Sequence, residues 1–207
     1  MNNENKILNL LKKNPYITTK EVEETGISRR FLSFLVEKNK IKRLSRGVYS
    51  LPDELKDEYF IINSKSKYAV FSNLTALYFH GLCDRIPIKY DVTVKNDYNG
   101  SLQKNRDINL YYVKKEHINL GLFNTKTNYG NQVRVYDIER SICDIIKNKN
   151  KLDLELFNKA IRGYYYNKDK NTSKLYAYAK KLAIYDKVRK TFEVLTWLTI
   201  EIAWRQN

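Results

Sequence analysis

Four of the eleven arginines in this 207-residue sequence, Arg29, Arg30, Arg43 and Arg46, fall between positions 29 and 46. A guanidinium is planar, permanently charged and able to donate two parallel hydrogen bonds, so grouped arginines suit phosphates and the O6/N7 edge of guanine. The spacing divides them into two pairs. Arg29-Arg30 follows Ser28 at the head of an apolar-periodic segment, SRRFLSFLVEKN, whereas Arg43 and Arg46 lie with Lys42 and Ser45 in IKRLSRGVYSL. The formal net charge of +15 points the same way, towards an anionic partner. Lysine excess alone is weak support, because a chain rich in Lys, Asn, Ile and Tyr is what AT-rich coding yields. The arginine grouping does not follow from that bias.

The elements around these residues read as a winged helix-turn-helix. Residues 3–13 carry Ile7, Leu8, Leu10 and Leu11 at helical spacing, and Asn14-Pro15 ends that helix because the residue before proline is pushed out of the helical region. Thr18 or Thr19 caps a short second helix, with Glu21 or Glu23 near capping-box spacing, and Gly26 stops it in a tight turn. Ser28 caps a third helix running to about Asn39. Phe31, Leu32, Leu35 and Val36 face inward from it, while Arg29, Arg30 and Ser33 lie outward on its first two turns. Ile41–Leu44 and Val48–Leu51 make a two-stranded wing with Ser45-Arg46-Gly47 at the tip. Such a fold lays the start of the third helix against base edges and the wing along the backbone. The expected DNA-contacting set is Thr18, Thr19, Ser28, Arg29, Arg30, Ser33, Lys42, Arg43, Ser45 and Arg46. The partner is double-stranded DNA. One helix reads only a few base pairs, so two copies on an inverted-repeat operator are expected. The competing reading makes the winged helix a scaffold with a solvated basic face, and the chain a protein- or RNA-interaction module.

Pro52-Asp53-Glu54 breaks the pattern and divides the chain into a domain over 1–52 and another over 53–207. The second opens on helical segments near Asp57–Ile62 and Ser72–Leu82. It alternates as strands over Ile88–Lys95, Ile108–Val113, Asn119–Thr125 and Gln132–Tyr136, and returns to helices at Ile138–Lys147, Asp153–Tyr166, Thr172–Ala183 and from Lys187 onward. The fold class is α+β: a winged helix-turn-helix, then a mixed α/β domain ending in a helical bundle. Residues 1–52 hold 11 basic and 5 acidic side chains, net +6, and residues 53–207 hold 27 and 18, net +9. The second cationic surface is assigned to Lys149, Lys151, Arg162, Lys168, Lys170, Lys174, Lys181, Lys187, Arg189 and Lys190.

Groups suited to catalysis are sparse. His80 and His117 are the only histidines, and with Cys83 and Cys143 they show no paired metal-ligand spacing, so neither a metal nor a cofactor is expected. Glu139, Arg140 and Asp144 could form a small acid–base cluster. As helix residues they read better as carboxylates near the helix start with a locally paired arginine. Tyr164-Tyr165-Tyr166, beside Arg162, Lys168 and Lys170, invites a base-stacking platform, but helical geometry spreads three successive residues widely, so at least one is core. No glycine-rich phosphate loop or nucleophile elbow occurs, and the chain reads as a non-enzyme. No apolar run spans a membrane and no signal peptide is visible, so a reducing cytoplasm is expected.

Several stretches together resemble the AbiEi antitoxin family: Gly47-Val48-Tyr49 ending the wing, Ser72-Asn73-Leu74-Thr75-Ala76-Leu77-Tyr78-Phe79-His80-Gly81-Leu82, Val92-Thr93-Val94, and the late Leu175–Ala183 and Val188-Arg189 helices. The most distinctive is Val135-Tyr136-Asp137-Ile138-Glu139-Arg140-Ser141-Ile142-Cys143-Asp144. The resemblance covers roughly residues 5–195, and the ending TWLTIEIAWRQN is taken as a variable extension of the last helix. It implies a bacterial type IV toxin–antitoxin or abortive-infection system for phage defence. In such a system the winged helix represses the shared operon and the second domain counters a nucleotidyltransferase toxin encoded beside it. Whether that opposition works by binding the toxin, occupying its nucleic-acid substrate or reversing its modification is left open by these residues.

Overall fold

A computed structural model describes the backbone of residues 2–205 and the side chains of residues 2–195. The chain divides into two compact units, Met1–Ser64 and Lys65–Asn207. The break expected after residue 52 thus falls twelve residues too early, and the cause lies in the first unit's packing.

In the first unit, α1 (Asn3–Lys13) is followed by β1 (Tyr16–Thr18), α2 (Thr19–Glu24), α3 (Arg29–Glu37), β2 (Lys42–Ser45), β3 (Val48–Ser50) and α4 (Glu58–Ser64). Thr18 forms a full capping box on α2: Glu21 N–H donates to Thr18 Oγ1 at 3.2 Å, and Thr18 N–H donates to Glu21 Oε2 at 2.6 Å. Gly26 takes φ +80° in the turn to α3. Ser28 caps α3 by accepting from Arg30 N–H, and the helix closes at Glu37, two residues before the expected Asn39. Asn39 turns left-handed at φ +53° while Lys40 N–H reaches Leu35 O and Asn39 N–H reaches Val36 O. This is the Schellman arrangement, with asparagine in the place usually taken by glycine. Ile7, Leu11, Ile17, Val22, Ile27, Leu32, Leu35, Ile41 and Tyr49 form the core.

The wing is a three-stranded sheet in the order β1-β3-β2, with Ile17 opposite Tyr49 and Thr18 opposite Val48. Sequence periodicity gave no sign of β1, because three residues after a proline are too few to show alternation. Tyr16 on β1 then draws in α4. Its ring stacks on Phe60 with centroids 5.1 Å apart, its hydroxyl donates to Leu55 O, and Asp57 N–H donates to that hydroxyl at 3.0 Å. Ile61 packs with Tyr16 and Val48. These contacts assign residues 53–64 to the first unit.

The second unit contains β4 (Val70–Phe71), α5 (Asn73–Phe79), β5 (Tyr90–Lys95), β6 (Ile108–Val113), β7 (Leu122–Lys126), β8 (Gln132–Tyr136), α6 (Ile138–Lys147), α7 (Leu154–Tyr166), α8 (Thr172–Lys181) and α9 (Tyr185–Arg205). Its sheet runs β6-β5-β4-β8-β7, with β5·β6 and β4·β8 parallel and the other two pairings antiparallel. The α+β class with a helical C-terminal bundle is as expected. The helices share a core that includes Leu77, Ile142, Ile145, Phe157, Ala160, Ile161, Leu175, Ala179 and Val188. Backbone helicity runs to Arg205, while the side chains of the expected extension, residues 196–207, lie outside the described residues. Ser72 does not cap α5 with its side chain. Asp91, reaching from β5, accepts from Leu74 N–H at 3.1 Å in its stead.

At the centre of this core α6 buries an ion pair. Arg140, fully buried, donates from Nε to Asp144 Oδ1 at 3.0 Å and from Nη1 to His117 O and Leu120 O at 2.9 Å, and lies over the Tyr136 ring.

Two stability predictions follow from this packing. Gly47, at the wing tip, has φ +79°, and a Cβ there would meet Thr19 Oγ1 at 3.3 Å. Gly47→Ala is therefore expected to destabilise the first unit by about 1–2 kcal/mol, the cost of the left-handed region for an L residue, measured by urea unfolding. Arg140→Ala strands a buried carboxylate and is expected to cost about 3–5 kcal/mol in the same measurement, whereas Arg140→Met combined with Asp144→Leu recovers most of that loss.

Candidate nucleic-acid interface

Viewed down α3, each residue advances about 100° around the axis. Leu32 and Leu35 are buried, and Phe31 and Val36 are half-buried beside them. On the opposite arc Arg29, Arg30, Ser33, Phe34 and Glu37 are all exposed. The outward set expected from the sequence is thus present, together with Phe34 and Glu37, which that reading passed over. The outward position of Phe34 was derivable from the same wheel, but an aromatic residue in an apolar run reads as core by default.

The wing contributes fewer contacts than expected. Arg46 is exposed at the tip, and Arg43 is exposed on β2 with its Nε donating to Ser45 O at 3.4 Å. Lys42, expected to clamp phosphate, instead donates from Nζ to Pro52 O at 2.5 Å and to Glu54 O at 2.7 Å. It fastens the chain leaving the wing, because its position on β2, opposite Ser50, carries its ammonium to those carbonyls. Ser45 Oγ is buried beside the β2 bulge and makes no hydrogen bond among the described residues, so it too is withdrawn from any ligand. Thr18 is engaged in the capping box, and Ser28 in capping α3. Thr19 is half-buried with its hydroxyl close under Gly47. The exposed charged groups left for a ligand are Arg29, Arg30, Arg43 and Arg46. None of the four forms a carboxylate ion pair among the described residues.

The second unit's cations differ. Lys149, Lys151, Arg162, Lys168, Lys170, Lys181, Lys187, Arg189 and Lys190 are exposed as expected. Arg189 pairs with Glu193 at 3.6 Å, and Lys170 donates to Tyr165 O at 2.7 Å. Lys174 is a correction. It is half-buried, with Nζ 3.1 Å from Asp137 Oδ2 and 3.2 Å from Glu139 Oε2. Burial opposes its charge, but the two carboxylates outweigh that and hold its pKa above the ordinary lysine value. Its place one turn into α8, across from the start of α6, makes it a clasp between helices.

The groups considered for catalysis are scattered. His80 Nε2 lies 2.7 Å from Tyr136 O, and His117 Nε2 lies 3.4 Å from Glu116. Cys83 and Cys143 are buried free thiols whose pKa values burial pushes up, which disfavours the reactive thiolate. Among the described residues no group of His, Cys, Asp or Glu could hold a metal ion. Tyr164 is buried, Tyr165 half-buried and Tyr166 exposed, so the triplet offers one exposed ring rather than a platform. No helix among the described residues is long and apolar enough to cross a membrane.

Known proteins agree with this geometry. No curated protein matches the sequence. A crystal structure of the RV2827C protein from Mycobacterium tuberculosis has a similar fold, with a TM-score of 0.59 at 11% identity, covering 86% of this chain and 71% of that one. A family model described as a transcriptional regulator, AbiEi antitoxin, matches residues 5–52, which span α1 through the end of the wing. Those residues are the winged helix-turn-helix described above, and over them the chain is similar to the AbiEi antitoxin transcriptional regulators.

Proposed function

We propose that this protein is a DNA-binding repressor of its own toxin–antitoxin operon and the antitoxin that opposes a nucleotidyltransferase toxin encoded beside it, in a bacterial abortive-infection system. The observation that carries the reading is the exposure of Arg29 and Arg30 on the first turn of α3 and of Arg46 at the wing tip, none of them paired with a carboxylate among the described residues. In the duplex complex the start of α3 enters the major groove. Arg29 and Arg30 take guanine edges, and Ser33 reaches a base or a phosphate. Arg43 and Arg46 lie along the phosphates. A second copy occupies the other half of an inverted repeat in the cytoplasm, and no cofactor takes part.

The alternative, an interaction module with the winged helix as scaffold, draws on the cationic second unit. Several cations there already have internal partners: Arg85 with Glu155, Lys159 with Asp84, Lys174 with Asp137 and Glu139, and Arg189 with Glu193. Others, among them Lys149, Lys151, Lys168, Lys181, Lys187 and Lys190, are exposed, so charge does not separate the two readings; the family match over residues 5–52 is what favours the first unit as the nucleic-acid reader.

Titration of the promoter duplex at several salt concentrations tests the reader. Arg30→Ala is expected to cost about 1–3 kcal/mol and relax base preference, as loss of one bidentate pair does. Arg46→Ala is expected to weaken all sequences alike and reduce the salt slope by about 0.9. Lys42→Ala is expected to leave that slope unchanged, because its ammonium is held by Pro52 O and Glu54 O. The Arg29→Ala/Arg30→Ala/Arg46→Ala variant is expected to lose operon repression in a reporter assay while still protecting cells that express the toxin. Wild-type affinity in that variant rules out the reading head.

A further inference from the structure

Phe34 is 43% exposed in the middle of the surface assigned to DNA. Single exposed apolar side chains are commonplace, but this ring is held in place. It stacks on Phe31 with centroids 5.5 Å apart and planes inclined by 28°. Phe31 in turn packs on the buried core of the unit, and Lys38 Nζ sits 5.8 Å from the Phe34 centroid. The ring thus packs on Phe31 while leaving much of its surface open to solvent.

Its neighbours define what it can meet. Phe34 follows Arg30 by four positions, which sets it about 40° around the helix and roughly 6 Å further along the axis. Ser33 lies beside it and Glu37 one turn beyond, both exposed. A bidentate donor, a hydroxyl and an apolar ring thus stand side by side on one helix face. Among the base edges lining a major groove, the C5 methyl of thymine is the apolar feature.

Resting on the DNA-reading proposal above, we propose that Phe34 is a specificity-determining residue that packs on a thymine C5 methyl. That thymine lies one or two base pairs from the guanine read by Arg30, the distance that roughly 6 Å of helix rise spans at about 3.4 Å per base pair. Each half-site then contains a guanine and a nearby thymine, read as a pair by one turn of α3. The contact is distinct from the arginine contacts because it needs no charge and is insensitive to salt.

The test uses the full-length protein and duplexes enriched from a random pool by binding to it, with deoxyuridine replacing thymine at one position at a time. At one position in each half-site, wild-type affinity is expected to fall about fourfold, the worth of one buried methyl group. Phe34→Ala is expected to bind the thymine duplex about fourfold more weakly than wild type and to bind thymine and deoxyuridine duplexes alike. Phe34→Leu, which keeps an apolar side chain, should retain most of the discrimination. Thermal melting matched to wild type shows that both variants are folded. Wild-type indifference to every deoxyuridine, or undiminished thymine preference in Phe34→Ala, overturns the contact and leaves the arginine reading standing. A Phe34→Ala variant that changes oligomeric state with its discrimination intact also overturns it and assigns the ring to a contact between copies. Failure to enrich any duplex overturns both readings.

Discussion

A hairpin of four and three residues does not hold a fixed position in water by itself. Everything asked of Arg46 depends on what ties the wing down. Two attachments do so. Tyr16 joins the wing through β1 and grips the following segment by stacking on Phe60 and through hydrogen bonds with Leu55 and Asp57. Lys42 fastens the same segment from β2 through the carbonyls of Pro52 and Glu54. Residues 52–57 are thus held by a ring, a hydroxyl and an ammonium, and α4 is the buttress they lead to. The hairpin becomes the outer part of a three-stranded sheet sharing a core with α2 and α3 through Ile17, Ile41 and Tyr49. A tip fixed in this way holds a constant offset from the start of α3, which a two-point grip on a duplex requires.

The same geometry explains why the reader's arginines stand unpaired. Grouping like charges on one face raises the free energy of the unbound protein, though in water and salt the repulsion is small. Neutralising them internally would remove it and would also remove the counterion release that drives binding to duplex DNA. In the second unit cations near carboxylates form pairs, and Lys174 bridges two of them. By the observed units the formal excess is +3 for residues 1–64 and +12 for residues 65–207. Net charge therefore does not single out the first unit; the grouping of exposed arginines on α3 and the wing does.

Much of this architecture was legible in local sequence. The cap at Thr18 or Thr19 with Glu21 or Glu23, which the structure resolves as Thr18 and Glu21, the Ser28 cap, the turn at Gly26, the strands Ile108–Val113 and Gln132–Tyr136 and the helix Ile138–Lys147 depend on residues a few positions apart, and the structure contains them. What escaped depends on distant partners. β1 and β4, at three and two residues, are strands only because β3, β5 and β8 lie beside them. The unit boundary moved because Tyr16 stacks on a ring 44 positions later. Lys42 and Lys174 resembled solvent-facing cations by composition and were claimed by carbonyls and carboxylates that no local pattern identifies.

The stretch Tyr136 to Asp144 shows how a motif suggestive of chemistry can be architecture. Asp137 Oδ1 accepts from Arg140 N–H and so caps α6, while its Oδ2 accepts from the Tyr178 hydroxyl on α8. Glu139 Oε1 accepts from Asn171 N–H at the start of α8. Arg140 donates to Asp144 and to two carbonyls of the segment before β7, with Tyr136 beneath it, and Tyr136 donates to Ile118 O in that same segment. Asp137, Glu139 and Arg140 thereby join α6 to neighbouring elements, while Asp144 pairs with Arg140 inside the helix. Of the three carboxylates, Glu139 and Asp144 are buried and Asp137 is half-buried. The polar residues of this run set the placement of α8 and of the loop before β7 around one buried helix.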